Sequence, residues 1–309
     1  LELREELTAL RHSFKTLSDT EVILKAYEQW GYDCLNRFNG MWAFAIWDNS
    51  KKILFLARDR FGIKPLYYTR TDDMFAFSSE IKPLTSLYPE RPLINKNKIP
   101  FYLIYGNRLN SEETYLENIS SLPSSHYLIL SENKLEVQRY YDIEKQGSGS
   151  LSESELQDKI IHLLTDSIRL RFRSDVSVGT CLSGGFDSSS IVSLSSGIKK
   201  GGLNTFSAVW KEKECDESYY IDIVNSKYGC IEHKTYPAEE HFESVFRKLC
   251  YFQEIPTEGP GLYPQWFVMQ KAGENVKVLL DGQGGDEVFG GYFQMGAYLR
   301  GILKDRRLI

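Results

Sequence analysis

The residues with the clearest capacity for chemistry lie between Val178 and Ser190, in the run Val-Gly-Thr-Cys-Leu-Ser-Gly-Gly-Phe-Asp-Ser-Ser-Ser. The run reads as a buried strand, a glycine turn and the hydroxyl-rich first turn of a helix. Gly184 and Gly185 let the oxygens of an anion approach the backbone closely. The free N–H groups and positive dipole end of the helix then hold that anion. Ser183 and Ser188 add neutral donors, and Asp187 supplies a carboxylate suited to a magnesium ion on bound phosphates. The spacing matches neither GxxxxGK[ST] nor GxGxxG, the two commonest nucleotide-binding loops.

A second glycine-rich turn, Asp281-Gly282-Gln283-Gly284-Gly285-Asp286-Glu287, follows a short apolar strand and runs into Val288–Tyr292. Small residues allow close backbone approach, while Asp286 and Glu287 offer oxygen ligands for magnesium. Alone, the turn is also readable as the acid-rich start of a helix. The surrounding pattern alternates strand and helix. Strands are expected at Val176–Leu182, Thr205–Val209, Ile231–Tyr236 and Val276–Leu280, with helices at 188–196, 216–228, 240–252 and 264–273 between them. Ser152-x-x-Glu155 predicts a capped helix to about Arg173 with Leu156, Ile160, Leu163, Leu164 and Ile168 as its buried stripe. Such alternation implies a parallel sheet covered on both faces, with ligands at the carboxyl ends of its strands. The two turns then share one rim and form one site.

The N-terminal half has a different grammar. Ser18-Asp19-Thr20-Glu21 predicts a capping box opening a helix to about Trp30, ended by Gly31. Strands are expected at Met41–Trp47, Ile53–Arg58, Leu66–Thr69 and Met74–Ser78, joined by turn-like separators into an antiparallel sheet. A less regular stretch runs to Tyr140, and Lys145-Gln146-Gly147-Ser148-Gly149-Ser150 reads as a linker. The reading therefore divides the chain into domains at 1–145 and 151–309.

Composition narrows the partners. The 309 residues are 42% hydrophobic and 26% charged, with a formal charge of −5. Mild acidity without a basic block argues against nucleic acid as the main partner, and no apolar run approaches a membrane span. Five scattered cysteines (Cys34, Cys181, Cys215, Cys230 and Cys250) form no CxxC pair, which suits a reducing, cytoplasmic setting. Cys230-x-x-His233 has no second pair nearby, so zinc is not expected.

With both turns in view, the chain resembles the glutamine-hydrolysing asparagine synthetases over nearly all of its length. SGGxDSS is similar to the pyrophosphate loop of ATP-dependent adenylating enzymes. The N-terminal half resembles part of the family's glutaminase domain through Ser18–Ile23, Phe38–Ala45, Arg58–Tyr68 and Ser79–Lys82. The C-terminal half resembles the synthetase domain through Leu182–Ser189, Asp216-Glu217 and Asp286–Tyr292. The order of these pieces in one chain is highly specific.

The resemblance implies a partial α+β Ntn-hydrolase-type layered sandwich followed by an α/β parallel-sheet ATP-pyrophosphatase domain of the adenine nucleotide alpha hydrolase type. It implies ATP and magnesium as cofactors, with glutamine and aspartate, or another carboxylate, as substrates. The family's reaction adenylates a carboxylate with release of pyrophosphate, and glutamine-derived ammonia then attacks the acyl adenylate. Carried over, the nucleoside lies against Leu182, Ala208, Asp281 and Gly282. Asp187 and Asp286 hold magnesium–pyrophosphate, and Ser183 and Ser188 donate to phosphate. Asp19 matches the aspartate that receives glutamine's α-amino group, although a helix-cap role serves its position equally well. A homodimer is a further implication, since the family often dimerises.

Two departures qualify the resemblance. The family's glutaminase nucleophile is a cysteine at residue one of the mature protein, its own α-amine serving as base. Residue one here is Leu1, the family's arginine segment and Asn-Gly-Glu loop are absent, and its later lysine and helical tail do not follow the second turn. The expectation is an interior fragment without glutaminase activity of its own. Gln283 also occupies the position of an acid implicated in forming or aminating the acyl adenylate, and a neutral amide is no general base. Asp281 replaces a family serine. Either Asp281 or Glu287 takes the acid's role, or the acceptor is not aspartate, as in relatives that amidate sugars, form β-lactams or cyclise peptides. A non-catalytic nucleotide-binding homologue is the remaining alternative.

Overall fold

The computed structural model describes residues 1–106, 112–132, 134–143, 151–199, 202–212, 214, 216–257, 259–292 and 296. The expected linker at Lys145–Ser150 lies outside the described residues. The chain divides into two compact units, Leu1–Gly147 with Glu254–Pro256, and Ser148–Gln253 with Thr257–Ile309.

The first unit begins with helices α1 (Glu2–Ala9) and α2 (Asp19–Trp30) and strands β1 (Ala43–Asp48), β2 (Ile53–Arg58), β3 (Tyr67–Arg70) and β4 (Phe75–Ser78). Helices α3 (Ile81–Thr85) and α4 (Lys98–Tyr105) follow, then β5 (Ile119–Ser121), β6 (His126–Leu130) and β7 (Leu135–Arg139). The expected single antiparallel sheet is two: β1-β2-β6-β7 and β4-β3-β5, each antiparallel throughout. The chain leaves β2 through a tightly bonded loop and pairs β3 with β5 instead. Residues 81–139, read from sequence as irregular, supply three of the seven strands, because β6 and β7 carry too little regular alternation to be recognised alone.

Strand β2 is buried on both faces. Phe55 and Ala57 pack with Tyr27, Cys34, Leu35 and Phe38, whereas Leu56 packs with Leu66, Tyr68, Leu122 and Leu128 from the other side. One face thus meets the helical layer and the other meets the second sheet, which is why Ile53–Ala57 is a continuous apolar run. Ser18 caps α2 by accepting from the Thr20 amide at 3.1 Å. The expected reciprocal box is absent: the Glu21 carboxylate turns back to the Lys15 and Thr16 amides at 2.9 and 2.7 Å. Those two N–H groups and the Thr16 hydroxyl pull the Glu21 carboxyl down to about 2, with the Thr16 hydroxyl the largest cause.

The second unit runs α5 (Glu153–Arg171), β8 (Val178–Cys181), α6 (Phe186–Ile198), β9 (Asn204–Ala208), α7 (Ser218–Tyr228), β10 (Ile231–Thr235), α8 (Phe242–Gln253), α9 (Leu262–Gly273), β11 (Val278–Leu280) and α10 (Gly285–Phe289). Its four strands form a wholly parallel sheet in the order β10-β9-β8-β11. Helices α6 and α7 cover it through Leu182, Val192, Leu203 and Ile221, and α9 covers it through Phe206, Val268 and Ala272. Helix α5 opens with the full Ser152–Glu155 capping box. Its expected buried stripe is corrected: only Ile168 is buried, packing on Val178 and Leu280, while Ile160 and Leu163 are exposed. The amphipathic spacing set the helix but not how much of its length meets the sheet.

Candidate functional site

The strand order decides where the second unit can bind. From β8 the chain winds outward through β9 to β10, then returns to place β11 on the other side of β8. The connections leaving β8 and β11 therefore flank a topological switch point, where open α/β sheets bind ligands. The turn after β8 is Leu182–Gly185, and the turn after β11 is Asp281–Gly284. Both expected glycine turns emerge side by side because Leu280 pairs with Thr180.

Side chains would crowd Asp187 where the turns touch. A Cβ on Gly285 would lie 2.5 Å from an Asp187 carboxylate oxygen, and one on Gly282 would lie 3.2 Å from the Asp187 Cβ. Any side chain at Gly285 displaces that carboxylate. Gly184 has φ +85°, and its Cβ would press on Tyr220 and the Glu217 carbonyl at 3.1 and 3.2 Å. The loop is thus clamped between the start of α7 and the second turn.

Internal bonds shape the loop. Ser188, buried on the first turn of α6, accepts from the Ser183 amide at 3.2 Å, and its hydroxyl lies 3.2 Å from the Gly185 carbonyl. The Ser183 hydroxyl sits 3.0 Å from that of Ser188 and accepts from the Gly185 amide at 3.3 Å. Ser183 is exposed at the rim and Ser188 lies beneath it. Leu182 is buried beside β9, its amide donating to Phe206 and its carbonyl accepting from the Ser207 hydroxyl at 2.6 Å. Ala208 ends β9 on the same rim.

On the facing turn, Asp281 meets the Cys181 thiol; burial first, then this carboxylate, pushes that thiol up to about 12. The Tyr292 hydroxyl donates to Glu287 at 2.5 Å and holds its carboxyl below the usual range. Gln283 is exposed at the tip, and Asp286 turns toward Gly291. Among the described residues, no group of three His, Cys, Asp or Glu side chains gathers as a metal site. Asp187, beside Gly285, offers the kind of oxygen ligand that magnesium takes one or two at a time, with phosphate oxygens and water completing its shell.

The first unit has its own cavity of about 570 Å³. Asp19 and Thr20 line it from the start of α2, Met41–Ile46 from β1 and its approach, and Lys64, Pro65 and Ser79 from two loops. The sequence marks Arg58 and Asp59 only as part of a segment of resemblance and assigns them no role in these walls. Asp59, 1% exposed, accepts from the amides of Phe61, Ile63 and Lys64 at 3.1, 3.0 and 2.9 Å, and from Trp42 at 3.3 Å. Arg58 donates to the carbonyls of Lys64, Gly62 and Leu122 at 2.8, 2.8 and 2.7 Å. One carboxylate and one guanidinium therefore fix both the Trp42 and Lys64 walls. The signal was an adjacent Arg-Asp pair before a Gly-x-Lys-Pro turn.

Comparison with known proteins matches the two halves of the chain to two families in order. Residues 1–141 match the glutamine amidotransferase domain family, and residues 159–307 match the asparagine synthase family. A putative glutamine-hydrolysing asparagine synthetase 2 of Methanocaldococcus jannaschii is 37% identical over 296 residues, 94% of this chain and 56% of that protein. The chain belongs to the glutamine-hydrolysing asparagine synthetase family. Asparagine synthetase 3 of Bacillus subtilis is 28% identical across 94% of this chain and 50% of its own length. A protein named amidase chry2 from Gibberella zeae is 29% identical over 89% of this chain and 43% of its own. The chain spans about half the length of the curated relatives it matches.

Proposed function

We propose that this chain supplies the glutamine-pocket wall and the nucleotide site of an ATP-dependent amide ligase that converts aspartate to asparagine. The observation that carries the reading is the contact of Gly282 and Gly285 with Asp187, which joins the two glycine turns at one switch point. The first unit is then the partial glutamine amidotransferase domain, of Ntn-hydrolase type, and the second the ATP-pyrophosphatase domain. ATP binds with its nucleoside against Leu182, Ala208, Asp281 and Gly282. The backbone of Gly184 and Gly185, the Ser183 hydroxyl and the N-terminus of α6 receive its phosphates, with Ser188 holding Ser183 in place. Asp187 and Asp286 would hold magnesium, which would supply positive charge for the departing pyrophosphate. The fixed donors stabilise the pyrophosphate's charge without reorganising during the reaction. Aspartate's side-chain carboxylate attacks the α-phosphorus, pyrophosphate leaves, and ammonia displaces AMP from the acyl adenylate. Asp19 receives glutamine's α-amino group in the first unit. The free thiols suit a reducing cytoplasm.

A second acceptor class is favoured by one residue. Gln283 puts a neutral amide where the resemblance places an acid, and one relative of the chain carries the name amidase. The deciding experiment measures pyrophosphate release by the full-length protein with ATP, magnesium and ammonia, first with aspartate and then with other carboxylates. Release with aspartate, lost in Asp187→Ala, is expected. Release only with another carboxylate selects the second reading, and none with any acceptor overturns the ligase reading.

A further inference from the structure

The Ser79–Lys82 turn ends one wall of the first unit's cavity, where Ser79 faces the space that Asp19 also lines. The turn then enters α3, whose first amide groups need acceptors. The acceptor comes from far along the chain. Glu254 accepts from the Ile81 amide and from the Lys82 amide, both at 2.7 Å, one through each carboxylate oxygen. The Lys82 ammonium lies 2.9 Å from the same carboxylate, which is only 8% exposed. Residues Glu254–Pro256 belong to the first unit although the chain on either side belongs to the second. Glu254 also holds φ +59°, a left-handed conformation uncommon outside glycine. A strained backbone, a buried carboxylate and two donors separated from it by 173 and 172 residues converge on one turn.

We propose that Glu254 is a positioning residue for the amino-acid pocket of the first unit. Its carboxylate fixes the start of α3 and, through Glu80, the placement of Ser79 in the lining of the cavity that Asp19 shares. Without it two part-buried N–H groups lose their acceptor and the turn relaxes toward solvent. The proposal rests on the reading of that cavity as the glutamine site.

The test uses the full-length protein and compares Glu254→Ala, Glu254→Gln and Asp19→Asn. Glutamine-dependent and ammonia-dependent product formation are measured for each. The expectation is a glutamine KM raised about tenfold in Glu254→Ala with kcat within about threefold. Glu254→Gln, which keeps a carbonyl acceptor for one amide, should fall between. Ammonia-dependent turnover should stay unchanged in both. Equal loss of both activities would mark general destabilisation and overturn the proposal, as would a glutamine KM unchanged in both Glu254 variants while Asp19→Asn raises it. If Asp19→Asn also leaves glutamine KM unchanged, the pocket reading itself fails, and the proposal with it.

Discussion

At the scale of single residues, the site depends on what glycine omits as much as on what side chains supply. Gly285 has ordinary helical freedom, so alanine there is tolerated by its own backbone; the conflict is with Asp187 at 2.5 Å. Gly285→Ala is therefore expected to move the carboxylate and lower pyrophosphate release by at least about tenfold, roughly 1.4 kcal/mol of transition-state stabilisation. Thermal stability should change little, since the turn lies at the rim. Unchanged release in the variant would show that Asp187 does not need its present position. The sequence announced Asp187 by its place in a glycine–serine turn. It could not announce that Gly285, 98 residues away, is the surface on which that carboxylate rests.

At the scale of elements, β8 is positioned by a close approach that only its second residue permits. A Cβ on Gly179 would lie 2.8 Å from the Phe206 ring and 3.0 Å from the Asn204 carbonyl. The ring has little room to yield, because His233 stacks on it at 4.7 Å between centroids. Gly179→Ala should cost about 1–3 kcal/mol by overpacking, read as a lower urea midpoint for the second unit. An unchanged midpoint would mean that β8 and β9 can separate freely. Most of the second unit's elements were legible, since strands near five residues and helices above ten have distinct periods, and α5 also has a capped start. Strand ends fell within two or three residues of expectation. The first unit was less legible: β5, β6 and β7 are short, and which sheet a strand joins is a non-local choice. The α5 stripe failed for a related reason, because spacing fixes a helical face but not the length of its contact.

For the whole molecule, buried thiols predict how stability responds to alkali. Burial, then Asp33, pushes the Cys34 thiol from 9.0 to about 12, and Cys181 is raised to about 12 by burial and then Asp281. Both groups are neutral when protonated and ionise earlier in the unfolded chain. Stability from these thiols is therefore complete below pH 9.0 and declines as pH rises toward about 12. Urea midpoints measured from pH 7 upward should hold flat and then fall, with a shallower fall in Cys34→Ala. An identical alkaline slope in that variant would remove Cys34 from the account.

The sequence alone determined the chemistry on offer: a glycine–serine anion loop, an acidic glycine turn after a strand, and a helix start bearing Asp19. These are local facts, set by residue type and by spacing within one turn or one strand. Tertiary structure decided which of them meet. Strand order placed β11 beside β8, so that Asp187 lies against Gly282 and Gly285. It buried Asp59 under four amides and brought Glu254 to the start of α3. Hydrogen bonds and van der Waals contacts act across a few ångströms of space, and nothing in local spacing records which distant residue will fill those few ångströms.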